Sequence, residues 1–258
     1  AGIVRAHDAA KKHGVALLVG AELCVEQGPK IVLLCADRCA YEALCVLITL
    51  ARRRAGKGRY RSCKEDFSAV PESLLCLWIA RSDDDAIHLA WLQSHFAGHL
   101  WLAVARHGED GEMQRLHWLQ EFATRHDLPL VATGDVHMHE RARRPLQDVL
   151  TALRHHCTLA EAGWRLFQNG ERHLRPRETL ARLYRPEWLA ESVRIAGRCT
   201  FSLEQLRYAY PRELVPADHT PASWLRHLTE DGARWRWPDG VPLPVRAQIE
   251  HELALIAE

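Results

Sequence analysis

Leu100-Trp101-Leu102-Ala103-Val104, then Glu112 through His126, then Leu128-Pro129-Leu130-Val131-Ala132-Thr133: this stretch decides the fold. The two outer runs are short and continuously apolar, the pattern of strands buried on both faces. Between them Leu116, Leu119 and Phe122 recur at helical spacing, so residues 112–126 form a helix with one inward stripe. A buried strand, a helix and a second buried strand make one strand–helix–strand unit.

Working outward, the same alternation repeats. Residues 31–35 predict a strand, and residues 41–54 a helix with Leu44, Leu47, Ile48 and Ala51 on one face. Residues 74–79 predict a strand, 85–96 a helix and 145–153 another helix. Towards the start, Ile3, Val4, His7 and Ala10 mark a helix that Gly14 ends. The run Val15-Ala16-Leu17-Leu18-Val19 predicts a buried strand, followed by Gly20-Ala21-Glu22. Repeated apolar strands and helices imply an α/β fold, with a parallel sheet covered by helices. Periodicity does not decide between an open sheet and a barrel.

The character changes after Cys157. Residues 177–183 and 186–198 predict helices, the second opened by proline. A proline-rich stretch follows through Pro211, Pro216 and Pro221, and then helices at 223–237 and 244–258. Both ends of the chain fall inside helical patterns without a cap or stop, so the expectation is a piece of a larger protein.

Composition sets the class. With 258 residues, 47% of them hydrophobic and 26% charged, the chain has ordinary globular composition and enough length for a sizeable core. The net charge of +1 points neither to nor away from a nucleic-acid partner. No apolar run is long enough for a membrane span, and the N-terminus lacks the basic and apolar regions of a signal peptide. Eight cysteines form no Cys-x-x-Cys pair and lie mostly in apolar runs, which predicts reduced, buried thiols in a cytoplasmic protein, with a structural zinc site as the alternative. The nine tryptophans sit mostly at helical spacing and read as core.

Chemistry points to Gly134-Asp135-Val136-His137-Met138-His139. Asp135 and His137 follow a buried strand, and side chains two residues apart in extended chain point the same way. A carboxylate and an imidazole together suit zinc, manganese or iron. Glu22 stands in the same relation to its own predicted strand, and in parallel α/β folds groups beyond the strand carboxyl ends converge. His107, after the strand at 100–104, is a further candidate ligand or an exposed loop residue. Chance alone produces roughly one Asp-x-His in a chain of this composition, so the bare motif is weak. Asp135 in an Asx turn and His139 capping a helix stand as alternatives. Two basic runs, Arg52-Arg53-Arg54 with Lys57, Arg59 and Arg61, and Arg141, Arg143 and Arg144, read as solvated faces, with phosphate contact as the alternative. No Walker loop, Gly-x-Ser-x-Gly elbow or dinucleotide fingerprint is present.

Val131 through His139, followed by Leu146-Gln147-Asp148-Val149-Leu150, resembles the last metal motif of the PHP (polymerase and histidinol phosphatase) domain, as found in bacterial C-family DNA polymerases of the DNA polymerase III alpha-subunit group. Leu47-Ile48-Thr49-Leu50-Ala51-Arg52-Arg53-Arg54 resembles the helix after the third motif. Asn169-Gly170-Glu171-Arg172-His173-Leu174-Arg175, and Leu206-Arg207-Tyr208-Ala209-Tyr210-Pro211 through Leu214-Val215-Pro216, resemble the approach to the palm. The Gly-Asp-Val-His-Met-His and Gly-Glu-Arg-His-Leu-Arg forms resemble the error-prone, damage-induced branch.

The resemblance implies a partial distorted (β/α) barrel of PHP type over residues 1–203, then a mainly helical linker and the start of the palm over 204–258. It implies Glu22, Asp135 and His137 as metal ligands, with zinc or manganese in an incomplete site, since two further metal motifs would precede Ala1. The catalytic aspartates of the polymerase, and the Mg2+ they hold, would lie beyond Glu258, leaving this stretch without nucleotidyltransferase activity of its own. Trp101-Leu102-Ala103-Val104-Ala105-Arg106 stands where replicative relatives more often carry a glutamate. The implied partners are DNA, deoxynucleotides and translesion-synthesis accessory proteins, in damage-induced mutagenesis and repair. A stand-alone PHP phosphoesterase and a non-catalytic scaffold module are the alternatives.

Overall fold

The computed structural model describes residues 2–206 and 215–257; the part of the palm-approach resemblance on 207–214, and Glu258 of the last predicted helix, lie outside them. The chain divides into two units, one running to Leu206 and one starting after it.

The first unit is an α/β sheet with helices. In chain order its elements are α1 (Ile3–His13), β1 (Gly20–Cys24), β2 (Lys30–Cys35), α2 (Arg38–Arg53), β3 (Leu74–Trp78), α3 (Leu89–His95), β4 (Leu100–Ala105), α4 (Glu112–His126), β5 (Leu130–Thr133), α5 (Arg144–Arg154), α6 (Leu159–Ala162), α7 (Arg177–Leu183) and α8 (Pro186–Arg198). The strands lie in the order β1-β2-β3-β4-β5. The β3–β4 and β4–β5 pairs are parallel, as the strand–helix–strand reading predicts. The β1–β2 and β2–β3 pairs are antiparallel. The sheet is therefore mixed rather than parallel, and among the described residues it is open rather than closed into a barrel.

The difference starts at residues 15–19, predicted as a strand. They form none: Val15 is 63% and Leu18 37% exposed, and only the last residue of the run, Val19, bonds to the sheet, its O accepting from Cys35 N at 2.9 Å. The strand is the next segment, Gly20–Cys24, because a tight turn lets it fold back on β2. Val25 N donates to Pro29 O at 3.1 Å and Gly28 N to Val25 O at 3.0 Å, with Gln27 in the left-handed region at φ 49°. Gly20 faces Leu34 across the ladder, where a Cβ would run into the Leu33 carbonyl.

Alternation along β4 builds two cores. Leu100, Leu102 and Val104 face one side of the sheet, with Trp78 and Ile31 and with the inner faces of α2, α3 and α4: Leu44 and Leu47, Leu92, Leu119 and Phe122. Trp101 and Ala103 face the other side, with Leu75, Leu77, Val131 and Ile195 of α8. Each fully buried leucine contributes roughly 1.5–3 kcal/mol of transfer free energy, so β3 and β4, buried along their length, anchor the unit. On the second side the Trp101 indole donates to Glu191 of α8.

Local rules explain the helix ends. Asp37 caps α2 by accepting from Ala40 N at 2.9 Å. Residues 85–96, predicted as one helix, begin as a 3-10 turn at Asp83–His88, where three successive aspartates crowd the start, and only then become α3. Of the cysteines, Cys35 and Cys76 are buried, whereas Cys24, Cys39 and Cys45 are exposed, so apolar neighbours in sequence overstate their burial. Burial pushes the Cys35 thiol up to about 12 and the Cys76 thiol well above its ordinary value, keeping both as thiols. The tryptophans also divide: Trp78, Trp101 and Trp188 are core, while Trp164 is 91% and Trp235 84% exposed.

The second unit holds a helical hairpin, α9 (Pro221–Arg236) and α10 (Leu243–Ala257). Thr220 caps α9 by accepting from Ser223 N at 3.2 Å. Ion pairs from Arg226 to Glu250, at 2.9 Å, and from Arg246 to Glu230, at 2.5 Å, join the two helices.

Candidate functional site

The parallel strands β3, β4 and β5 end on one rim, and the loops leaving β4 and β5 are held there by side chains from far along the chain. Glu112, the first residue of α4, accepts from the backbone of His107, from Gly108 N at 2.7 Å and from Arg106 Nε at 3.1 Å. Those donors hold its carboxyl below its ordinary value against the opposing effect of burial. Tyr184, 5% exposed, accepts from Arg106 N at 3.0 Å and donates to Thr133 O at 2.8 Å, so one hydroxyl ties the ends of β4 and β5 together. Asn169 Nδ2 donates to His107 O at 2.7 Å.

Asp135 sits just past β5 at φ 39°, a strained backbone for a non-glycine residue. One carboxylate oxygen lies 3.3 Å from His137 Nε2, and the other accepts from Arg172 Nη1. Arg172 is 12% exposed and also reaches Glu109, with Nη2 at 2.8 Å from Oε1. Its guanidinium lies 4.3 Å from the Phe167 ring centroid. The backbone fixes this meeting: His137 N and Met138 N both donate to Arg172 O, at 2.8 and 3.2 Å, and Leu174 N donates to Met138 O at 3.2 Å. The hydrogen bond from His137, and then the charge of Arg172, hold the Asp135 carboxyl well below the usual carboxylate range although burial opposes them. Beside the pair lies a cleft of about 290 Å³ whose polar lining is Lys30, Arg81, His107, Glu109, Arg115, Asp135 and Arg172.

The residues predicted as a site are therefore partly assembled. Asp135 and His137 meet. Glu22 does not stand beyond a strand end: it lies within β1, opposite Val32, and its carboxylate pairs with Lys30 Nζ at 3.0 Å. His107 is 2% exposed, not a loop histidine on the surface, and lines the same cleft as Asp135. Its Nε2 lies 3.0 Å from Gly134 O, so that nitrogen carries the proton, and Nδ1 is buried without a hydrogen-bond partner. Burial, above all, lowers its pKa and keeps the ring neutral. His139 caps no helix; it lies 3.6 Å from the Glu140 carboxylate. The Asx turn forms at Asn169, whose Oδ1 accepts from Glu171 N at 2.9 Å, rather than at Asp135.

Tested against a metal ion, the side chains form an ion-pair network rather than a ligand set. Both Asp135 oxygens are engaged, Glu22 is paired with Lys30, and among the described residues no group of three or more His, Cys, Asp or Glu side chains is placed to hold an ion. The residues that organise the rim, Arg172, Glu109, Glu112 and Tyr184, were not legible as such. Arg172 lies in the Gly-Glu-Arg-His-Leu-Arg run, a visible signal, but its partners lie 37 and 63 positions away.

No protein-family model matches the chain. Curated relatives match it from end to end. It is 57% identical over 263 residues to the error-prone DNA polymerase of Pseudomonas syringae pv. syringae (strain B728a). It is 54% identical over 258 residues to that of Pseudomonas aeruginosa, and 52% over 263 residues to that of Dechloromonas aromatica (strain RCB). The chain matches one segment of error-prone DNA polymerases. That segment is about a quarter of their length, 25% of the two Pseudomonas proteins and 26% of the third, and each match covers the whole of this chain. Both motifs that meet at Asp135 and Arg172 thus lie within the stretch shared with these polymerases. Among the described residues no helix is long and apolar enough to cross a membrane.

Proposed function

We propose that this chain is a structural segment of an error-prone DNA-directed DNA polymerase, a cytoplasmic nucleotidyltransferase of damage-induced mutagenesis and translesion synthesis. The observation that carries the reading is identity of 52–57% to polymerases of that name along the whole chain. In this reading the whole protein binds DNA and deoxynucleotides and works with translesion accessory proteins, and its nucleotidyl transfer uses Mg2+ held by aspartates outside this segment. Residues 1–203 are the PHP-type portion, one arc of a (β/α) barrel, and 204–258 lead towards the palm.

Within that protein the Asp135 rim is a scaffold. Asp135, Arg172 and Glu109 are engaged with one another, Glu22 is engaged with Lys30, and the Nδ1 of His107 is buried without a hydrogen-bond partner. Binding of zinc or manganese by Glu22, Asp135, His137 and His107 would require Arg172 and Lys30 to release their carboxylates first.

The test is primer extension on a damaged template by the full-length polymerase that contains this segment. Mg2+-dependent incorporation is expected, and Asp135→Asn should keep kcat within about twofold while lowering thermal stability, as for a scaffold residue removed from the chemistry. Absence of incorporation by the intact wild type overturns the polymerase reading. Loss of incorporation in a folded Asp135→Asn protein overturns the scaffold reading.

A further inference from the structure

The two basic runs look alike in sequence, and the structure separates them. In the run at 141–144 each arginine has a carboxylate: Arg141 pairs with Glu171 at 2.8 Å, Arg143 with Glu140 at 3.5 Å and Arg144 with Asp148 at 3.6 Å. In the run at 52–61 two cations are neutralised, Arg54 by Asp66 at 2.5 Å and Arg61 by Glu26 at 3.6 Å. Arg52 donates to Arg59 O at 3.3 Å and lies over the Tyr60 ring. Arg53, Lys57 and Arg59 are exposed and have no carboxylate partner among the described residues. Two further acidic side chains belong to this neighbourhood: Glu65, whose charge acts on Arg54, and Glu22, which lines a small pocket with Arg52 and Tyr60 and is paired with Lys30.

The loop that carries these cations is anchored. Arg61 N donates to Ala51 O at 2.9 Å, Arg59 N to Gly56 O at 3.0 Å and Glu26 N to Ser62 O at 2.7 Å. Tyr60 closes it onto the sheet by accepting from Cys24 N at 3.1 Å. Gly56 and Gly58, the latter at φ 82°, have open space where a Cβ would stand, so a ligand can approach the backbone closely. Three unpaired cations on a tethered loop cost little ordering entropy on binding.

We propose that the loop from Arg53 to Arg59 is a contact site for the phosphate backbone of duplex DNA, made by Arg53, Lys57 and Arg59. Duplex backbone is favoured over single strands because the loop offers three cations but a single aromatic ring, Tyr60, with Arg52 over one face and its hydroxyl on Cys24, too little to stack successive bases. The contact is independent of sequence and salt-sensitive. The choice of DNA rests on the polymerase reading above. The two are separable, because that reading is tested by nucleotide incorporation and this one by the salt dependence of binding.

The experiment titrates a short labelled DNA duplex of mixed sequence with the full 258-residue chain, by fluorescence anisotropy over a range of salt concentrations. Neutralising three phosphate contacts contributes a slope of log K against log salt of roughly 0.9 per contact. The triple variant Arg53→Gln/Lys57→Gln/Arg59→Gln should lose about 2–3 units of that slope. Arg141→Gln/Arg143→Gln, at cations already paired, should change it by less than about 0.5. Arg53→Lys/Arg59→Lys, which keeps the charges, should bind like wild type and serves as the folded control. Failure of the wild type to bind at low salt, an unchanged slope in the triple variant, or an equal loss in the Arg141/Arg143 variant overturns the proposal.

Discussion

Arg172 and Asp135 meet side chain to side chain, and the same guanidinium reaches Glu109 at 2.8 Å. One cation thus holds two carboxylates, one after β5 and one after β4, at a rim where neither has another full positive charge so close. Because Arg172 is mostly buried, its loss strands both carboxylates in a partly dehydrated place. Arg172→Met, which keeps the length and the contact with Phe167, should destabilise the chain by about 2–3 kcal/mol, somewhat below the range for fully buried pairs because Asp135 keeps some solvent. Urea unfolding of the two proteins measures this. A difference under about 0.5 kcal/mol would mean the network is as weak as a surface pair.

Asp135 also sets an acid sensitivity. Its carboxyl is held well below its ordinary value, by His137 first and Arg172 next. A depressed carboxylate stabilises the fold fully above the unfolded-state pKa, about 3.9, and that stability is lost as pH falls towards the folded value. Melting temperature should therefore drop steeply on acidification from about pH 4 downwards. Asp135→Asn should be less stable at neutral pH and lose up to one proton's worth of the slope in the acid limb. The remaining slope belongs to groups such as Asp66 and Glu112, which are depressed as well. Parallel acid limbs in the two proteins would show that Asp135 titrates normally.

Tyr184 offers a sharper test of how the strand ends are joined. Its hydroxyl satisfies Arg106 N and Thr133 O together, inside the protein. Tyr184→Phe keeps the ring and leaves both backbone groups without that partner, at a cost of about 1–3 kcal/mol. Hydrogen exchange should report the change locally, with faster exchange at the Arg106 amide than along the middle of β4. Unchanged protection there would place the stability of the rim elsewhere.

What could be read from sequence follows the range of the forces involved. The helices at Glu112–His126, Arg177–Leu183 and Pro186–Arg198 match the predicted spans end to end, because helical spacing, proline at a first turn and chain-local hydrogen bonds are written within a few residues. β2 to β5 were visible as apolar runs. Strand direction was not, since antiparallel pairing of β1 and β2 depends on the turn through Gln27 and Gly28, and the more apolar run at 15–19 drew the assignment away from Gly20–Cys24. Of the site, Asp135 and His137 were found because they are two residues apart after a strand. Glu22 belongs to β1 itself, which the apolar pattern does not mark as a strand, and Arg172 has partners too far along the chain to leave a periodic signal.

Metal addition decides between the two roles open to the Asp135 rim. The geometry gives both oxygens of Asp135 to side-chain partners and assembles no three-donor group among the described residues, so zinc or manganese must displace Arg172 before it can bind. An ion held at about 100 times its Kd stabilises a folded protein by roughly 2.7 kcal/mol, a shift well above noise in a melting curve. For the wild-type chain no rise is expected with Mn2+, and none is expected to be lost with chelator. Arg172→Met makes the experiment two-sided, because it frees Asp135 and Glu109 without touching a donor. A Mn2+-dependent rise in Arg172→Met alone would show that the arginine occupies the position a cation would take. A rise in the wild type that disappears in Asp135→Asn would locate a metal at the rim and overturn the scaffold reading.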